Sequence, residues 1–357
     1  MTAADIAMPA SMPRLKPPFL ALWALLVVSI LLSLMLGAVA IDPLEIGAII
    51  LAKLGIMPLP ASIDPRDVNL LFEIRMPRVV LASVVGGGLA VAGAALQGMF
   101  RNQLADPGLL GVSSGAALAV AATIVLGGSY IVMLPPFLRG WALPVAAFLG
   151  ACVVTAIVYG FAARQSNINV TVLLLVGIAI NALAGAGLGL ANFLSEDQQL
   201  RDITFWLLGS LAGVTWSKLL PVGLMLIAGI VLMLTLARPL NAFLLGEREA
   251  WQVGFATERV KRRLIIVTAL ASGAAVSLTG MIGFVGLLIP HLARLLVGAD
   301  HRRVLPSSAL LGASLLLLAD LISRLAVLPA ELPIGIVTSL IGAPFFLWLL
   351  LARRSRT

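Results

Sequence analysis

Apolar residues in this chain gather into long blocks separated by short polar connections. Ten blocks stand out: 19–41, 77–98, 108–127, 141–163, 170–192, 217–237, 263–282, 284–298, 306–327 and 333–352. A helix needs about 20 apolar residues to cross the core of a bilayer, and all but the eighth reach that length. The eighth is short, and Pro290 and His291 interrupt it. The division between the seventh and eighth, around Gly280–Gly283, is the least marked. A further apolar piece, Ile203–Ala212, is too short to span and reads as a re-entrant or interfacial helix. Backbone in lipid must satisfy its own hydrogen bonds, which restricts open spans to helices. The pattern predicts an all-α, polytopic integral membrane protein with about ten transmembrane helices.

Composition agrees. Charged residues make up 11% of the chain and hydrophobic ones 61%, whereas a soluble domain carries about a quarter charged residues. No polar block is long enough to form a second domain, so 1–357 reads as one transmembrane domain. Phe19–Ile41 exceeds the roughly 7–15 apolar residues of a signal peptide. It reads as a retained first span behind a cytoplasmic tail, 1–18, that holds Arg14 and Lys16. The single cysteine, Cys152, excludes an intramolecular disulfide.

The net charge is +8, and its placement matters more than its size. With both termini cytoplasmic and ten spans, sixteen of the 24 Lys and Arg residues fall on the cytoplasmic side. This bias is the positive-inside signature of topology, not a footprint for nucleic acid. The spans are rich in small residues, notably Gly86, Gly87, Gly88, Ala90 and Gly93 in the second. Such residues let helices approach closely in lipid or let one helix bend.

Several chemistries are missing. No phosphate-loop motif is present, so the chain does not bind ATP by that device. Its two histidines, His291 and His301, have no carboxylate cluster beside them, and no nucleophile–base pair stands out. Only Asp320 places a carboxylate within a span, and Arg324 follows it at i+4 spacing, suited to pairing on one helix face. The chain has the architecture of a passage without an energy source of its own.

The longest cytoplasmic loop, 238–263, carries Leu240, Phe243, Leu244, Leu245, Trp251, Val253 and Phe255. Their spacing predicts two short amphipathic helices broken at Gly246 and closed by Gly254. Exposed apolar residues there mean a partner or the lipid interface. Glu247 and Glu249 argue against an anionic leaflet and for a docked protein.

This loop, with its Leu244-Leu245-Gly246-Glu247 core, resembles the coupling region of the FecCD-type bacterial ABC transporter permeases, which import iron-siderophores, haem and cobalamin. Other stretches carry the same resemblance: Arg75-Met-Pro-Arg78, the run from Gln97 to Gly115, the run from Gly283 to Arg294, Glu331-Leu-Pro-Ile-Gly335 and Gly342-Ala-Pro344. Where the family usually has proline, this chain has Gln103. The resemblance implies the ten-span fold of the cobalamin-importer permeases. It also implies a homodimer with the passage between subunits, in the bacterial inner membrane. Two cytoplasmic ATPase subunits would hold the ATP and Mg²⁺, and a periplasmic substrate-binding protein would deliver the cargo. The chain itself would hold no cofactor.

Residue by residue, the resemblance assigns Leu244, Leu245, Gly246 and Glu247 to coupling with the ATPase, and Arg75, Arg78 and Arg324 to docking of the binding protein. Read from the residues alone, those arginines either face outward for a carboxylate or pair with Glu73, Asp320 or Glu331. Asn169, Val170 and Thr171 align with the inner gate, Val170 standing where some relatives have a polar residue. Asn181 and Asn192, close to three turns apart, share a face that either lines the passage or packs between helices. Thr204–Gly213 looks like a short outer gating helix. The stretch from Leu200 to Leu211 is more like haem permeases than cobalamin ones, which makes haem the expected cargo.

Overall fold

The computed structural model describes residues 19–163 and 168–354. The tail 1–18, Arg164 and Arg356 lie outside the described residues. Every described regular element is a helix. The ten expected spans are α1 (Phe19–Met35), α4 (Met76–Phe100), α5 (Val112–Met133), α7 (Ala142–Ala162), α8 (Val170–Leu194), α10 (Trp216–Thr235), α13 (Thr257–Thr279), α14 (Val285–Val297), α15 (His301–Leu325) and α16 (Ile334–Arg354). Six helices of the described residues are long and apolar enough to cross a membrane, and four shorter apolar helices complete the set.

Between these spans run α2 (Pro43–Lys53), α3 (Pro65–Asn69), α6 (Pro136–Arg139), α9 (Asp197–Leu208), α11 (Ala237–Leu245) and α12 (Glu247–Gln252). The break between seventh and eighth spans is real: Gly280 has φ +67°, and Phe284 is left-handed.

Three Asp-Pro pairs start helical segments. Asp42, Asp64 and Asp106 each accept a hydrogen bond from the backbone amide two residues on, and proline fills the first helical position. Aspartate satisfies an otherwise orphaned donor, and proline there forfeits nothing. The Asp106 segment is a 3₁₀ turn, Pro107–Leu110, that leads into α5.

α4 is the buried centre, and its glycines explain why. A Cβ at Gly86 would lie 2.2 Å from the Gly312 carbonyl oxygen of α15, and one at Gly93 would lie 1.9 Å from that of Gly286 in α14. At Gly98 it would meet the His301 ring at 2.4 Å. Glycines along α4 thus admit α15 at two levels and α14 between them. α4 follows a π-helical turn, Leu70–Arg75. Pro77 has no amide to offer the Phe72 carbonyl in that register. The indole Nε1 of Trp216 donates to that carbonyl at 2.7 Å instead.

The structure corrects four boundaries. The first span ends at Met35, not 41, where side chains from the π-helical turn and from α15 take its last carbonyls, as described below. The eighth span is not interrupted: α14 runs through Pro290. Proline there frees the Gly286 carbonyl, and Gln97 Nε2 donates to it at 3.1 Å. The seventh span starts at Thr257, not 263, so the connection is shorter than the expected 238–263; its polar first turns hid this start from a hydropathy reading. The short outer helix is Asp197–Leu208, with a Glu196–Gln199 capping box. It stops at Gly209 (φ +73°), whose added Cβ would lie 2.6 Å from the Met281 carbonyl. Residues 209–213 therefore lie outside the helix.

Candidate functional site

Three sites follow from the bundle. The first closes the end where α1 and α15 finish. Arg75, Arg78 and Arg324 are all buried there, at 4%, 7% and 7% exposure. A guanidinium taken out of water needs an anion or several acceptors, and each has them. Arg78 Nε donates to both Asp320 oxygens at 2.9 and 3.1 Å. Its two terminal nitrogens grip Glu331 at 3.0 and 2.9 Å. Arg324 Nε sits 3.1 Å from Asp320 Oδ2, and its other nitrogens bond the Ser33 carbonyl and hydroxyl and the Leu36 carbonyl. Arg75 donates to the carbonyls of Leu34, Met35 and Val39.

Two of these arginines therefore cap the C-terminal end of α1, where helix carbonyls lack partners. Of the alternatives open in the sequence, pairing with Asp320 and Glu331 is what the geometry shows for Arg78, and pairing with Asp320 for Arg324. Glu73 takes no part in these bonds. The three arginines line a cavity of about 200 Å³ with Glu331, Val39, Ile74 and Leu328. Glu331 is the partly exposed member, at 41%.

The second site is α8. Asn169 caps it, its Oδ1 accepting from Thr171 and Val172 amides at 2.9 and 3.1 Å. Val170 is the first helical residue, so the expected gate trio forms the start of this helix. α8 keeps few buried residues (Leu173, Gly177 and Ala184) and leaves Leu175, Ile178, Leu183 and Phe193 exposed. Asn181 packs between helices: its Oδ1 accepts from Ser114 and its Nδ2 donates to the Gly108 carbonyl at 3.1 Å. It also borders a cavity of about 340 Å³ with Ser113, Ser114, Leu188 and Met281. Asn192 does not line that cavity. Nearby, burial raises the Asp106 carboxyl above its ordinary range, against the lowering effect of the bond from the Gly108 amide.

The third site is the α11–α12 pair. The break falls at Gly246, whose φ of +141° suits glycine alone, and α12 closes before Gly254 at φ +94°. Leu240 and Phe243 turn inward, at 0% and 3% exposure, and anchor the pair. Leu244, Leu245, Trp251 and Val253 point out, Leu245 at 72%. Asn241 and His301 tie α11 to the start of α15.

Three buried polar residues that the sequence pattern does not single out tie these elements together. Gln97 links the Gly286 carbonyl to Arg294, accepting from the latter at 2.7 Å. Ser33 receives Arg324. Lys261, counted only as one of the topological charges, is buried at 2% exposure and ion-paired to Glu247 and Glu258. The i,i+3 spacing of Glu258 and Lys261 was the available signal for the last. Among the described residues, no group of three metal-ligating side chains comes together. Both histidines are buried.

Residues 25–352 match the FecCD transport family. The chain is 49% identical over 284 residues to the hemin transport system permease protein HmuU of Yersinia pestis, covering 80% of this chain and 84% of that protein. It is 43% identical over 282 residues to the vitamin B12 import system permease protein BtuC of Vibrio cholerae, covering 79% and 82%. Among solved structures, a metal-chelate type ABC transporter in an inward-facing conformation superposes with a TM-score of 0.79 at 33% identity, over 93% of this chain and 98% of that one.

Proposed function

The chain belongs to the FecCD transport family and is the membrane permease of an ABC importer, and from that premise we propose that its cargo is haem. The observation that carries this reading is the 49% identity to a hemin permease, against 43% to a vitamin B12 permease. The haem-like stretch from Leu200 to Leu211, most of it α9, supports it. A ferric siderophore or cobalamin is the alternative within the same family.

In this reading two copies of the chain form the passage, with α8 of each along it. Its apolar face, short of neighbours within one chain, supports that placement. Asn169, Val170 and Thr171 form the inner gate; Asn181 and Asn192 lie further along. Both termini are cytoplasmic, in a bacterial inner membrane. Two ATPase subunits seat on Leu244, Leu245, Gly246 and Glu247, and the outward Leu245 and Trp251 are what they bury. At the other end the binding protein docks over the cavity lined by Arg75, Arg78 and Arg324. The partly exposed Glu331 is the carboxylate that an incoming one displaces, since Arg suits bidentate carboxylate pairing.

An ion-coupled carrier finds little support. It needs a titratable group free in mid-membrane, and Asp320 is held by two arginines near one end of the bundle.

The test is stimulation of ATP hydrolysis by the complex in proteoliposomes with the ATPase and binding protein. Haem-loaded binding protein should stimulate hydrolysis. Stimulation by a ferric siderophore or cobalamin but not haem overturns the assignment of cargo.

A further inference from the structure

An ammonium buried in protein must be surrounded by acceptors or it loses its charge. Lys261 is 2% exposed and keeps three. Its Nζ bonds Glu247 at the start of α12, Glu258 Oε1 one turn earlier on α13 at 2.6 Å, and the Ile168 carbonyl at 2.8 Å. Glu258 Oε2 accepts the Ile168 amide at 2.8 Å. The Ile168 backbone is thereby clamped on both sides, by a carboxylate at its N–H and an ammonium at its carbonyl. The next residue, Asn169, caps α8. A continuous chain of charge-assisted bonds joins the α11–α12 pair to the first turn of α8 through one side chain.

We propose that Lys261 is a positioning residue that couples displacement of the α11–α12 pair to the start of α8. This rests on the reading that α11 and α12 seat the ATPase. The bonds give the reason. If α12 moves alone the buried ammonium loses Glu247, with almost no water to replace it, and keeps Glu258 and the Ile168 carbonyl; motion of α12 that keeps all three bonds carries Ile168, and with it Asn169 and the α8 N-terminus. Without the ammonium the bonded path from Glu247 to Ile168 is cut, and ATP hydrolysis runs without moving the helix.

The test uses the full complex in proteoliposomes, with Cys152→Ser and Thr171→Cys as the background. Thr171 is exposed at the α8 start, so its thiol modification rate reports movement there. In the reference chain, ATP with Mg²⁺ should change that rate. Lys261→Met should still capture the ATPase and hydrolyse ATP, but lose the ATP-dependent change in labelling and lower cargo moved per ATP by about tenfold. Lys261→Arg, which restores a cation, should recover the labelling change. If Lys261→Met does not fold, Glu258→Ala, which unclamps the Ile168 amide at a half-buried position, should give the same uncoupling. The reference chain's labelling response and its cargo per ATP, kept in either folded variant, overturn the proposal. Leu245→Asp tests the underlying reading separately and should abolish ATPase capture. Unchanged capture there refutes the seat itself, whatever Lys261 does.

Discussion

Asp320→Asn removes one charge from the most buried ion-paired side chain among the described residues. Asp320 is 1% exposed and receives Arg78 and Arg324 together. After the change Arg78 keeps Glu331, but Arg324 keeps only the oxygens of Ser33 and Leu36. Removing one partner of a buried pair costs about 3–5 kcal/mol, because the other charge stays buried. Asparagine still accepts one hydrogen bond, which places the expected loss near the lower end, about 3 kcal/mol. Glu331→Gln in the same network should cost about 1 kcal/mol or less, because its side chain is 41% exposed and solvent screens it. Reversible unfolding in mixed micelles by titration with a denaturing detergent, followed by tryptophan fluorescence, separates the two. The reasoning is refuted if Asp320→Asn lies within about 1 kcal/mol of the unaltered chain, or costs no more than Glu331→Gln.

Gly86→Leu should prevent α4 and α15 from meeting, since even a Cβ would fall 2.2 Å from the Gly312 oxygen; loss of monodisperse protein after detergent extraction checks it. Gln97→Leu strands the Gly286 carbonyl and an Arg294 nitrogen. It should lower stability by about 1–3 kcal/mol in the same unfolding assay. Glu331→Gln should tighten binding-protein association, because a competing carboxylate is weakened; lower or unchanged affinity by surface plasmon resonance contradicts the docking geometry.

The spans were legible because hydropathy over 20 residues is a strong local signal, and every expected block became a helix. The two short amphipathic helices were legible for a different reason, the spacing of their apolar residues, with Gly246 marking the break. Helix starts at Asp42-Pro43 and Asp64-Pro65 were present in the sequence as capping pairs, yet the mostly apolar α2 is too short, and α3 both too short and polar, for a span search to find. The α13 start was hidden by its charges. What the sequence could not supply were contacts between distant elements. Arg75 finds the end of α1 and Arg78 finds Asp320, 242 positions away. Both follow from how α4 packs against α1 and α15, which no local pattern encodes. Lys261 was invisible for that reason: its importance comes from Ile168, 93 positions earlier.

The central claim is that this permease moves its cargo only when a separate ATPase drives it. Haem uptake into proteoliposomes holding the chain, its ATPase and binding protein tests it most directly. Uptake should require ATP and Mg²⁺, disappear when the ATPase is omitted, and not respond to an imposed proton or sodium gradient. Uptake driven by an ion gradient without the ATPase would contradict it.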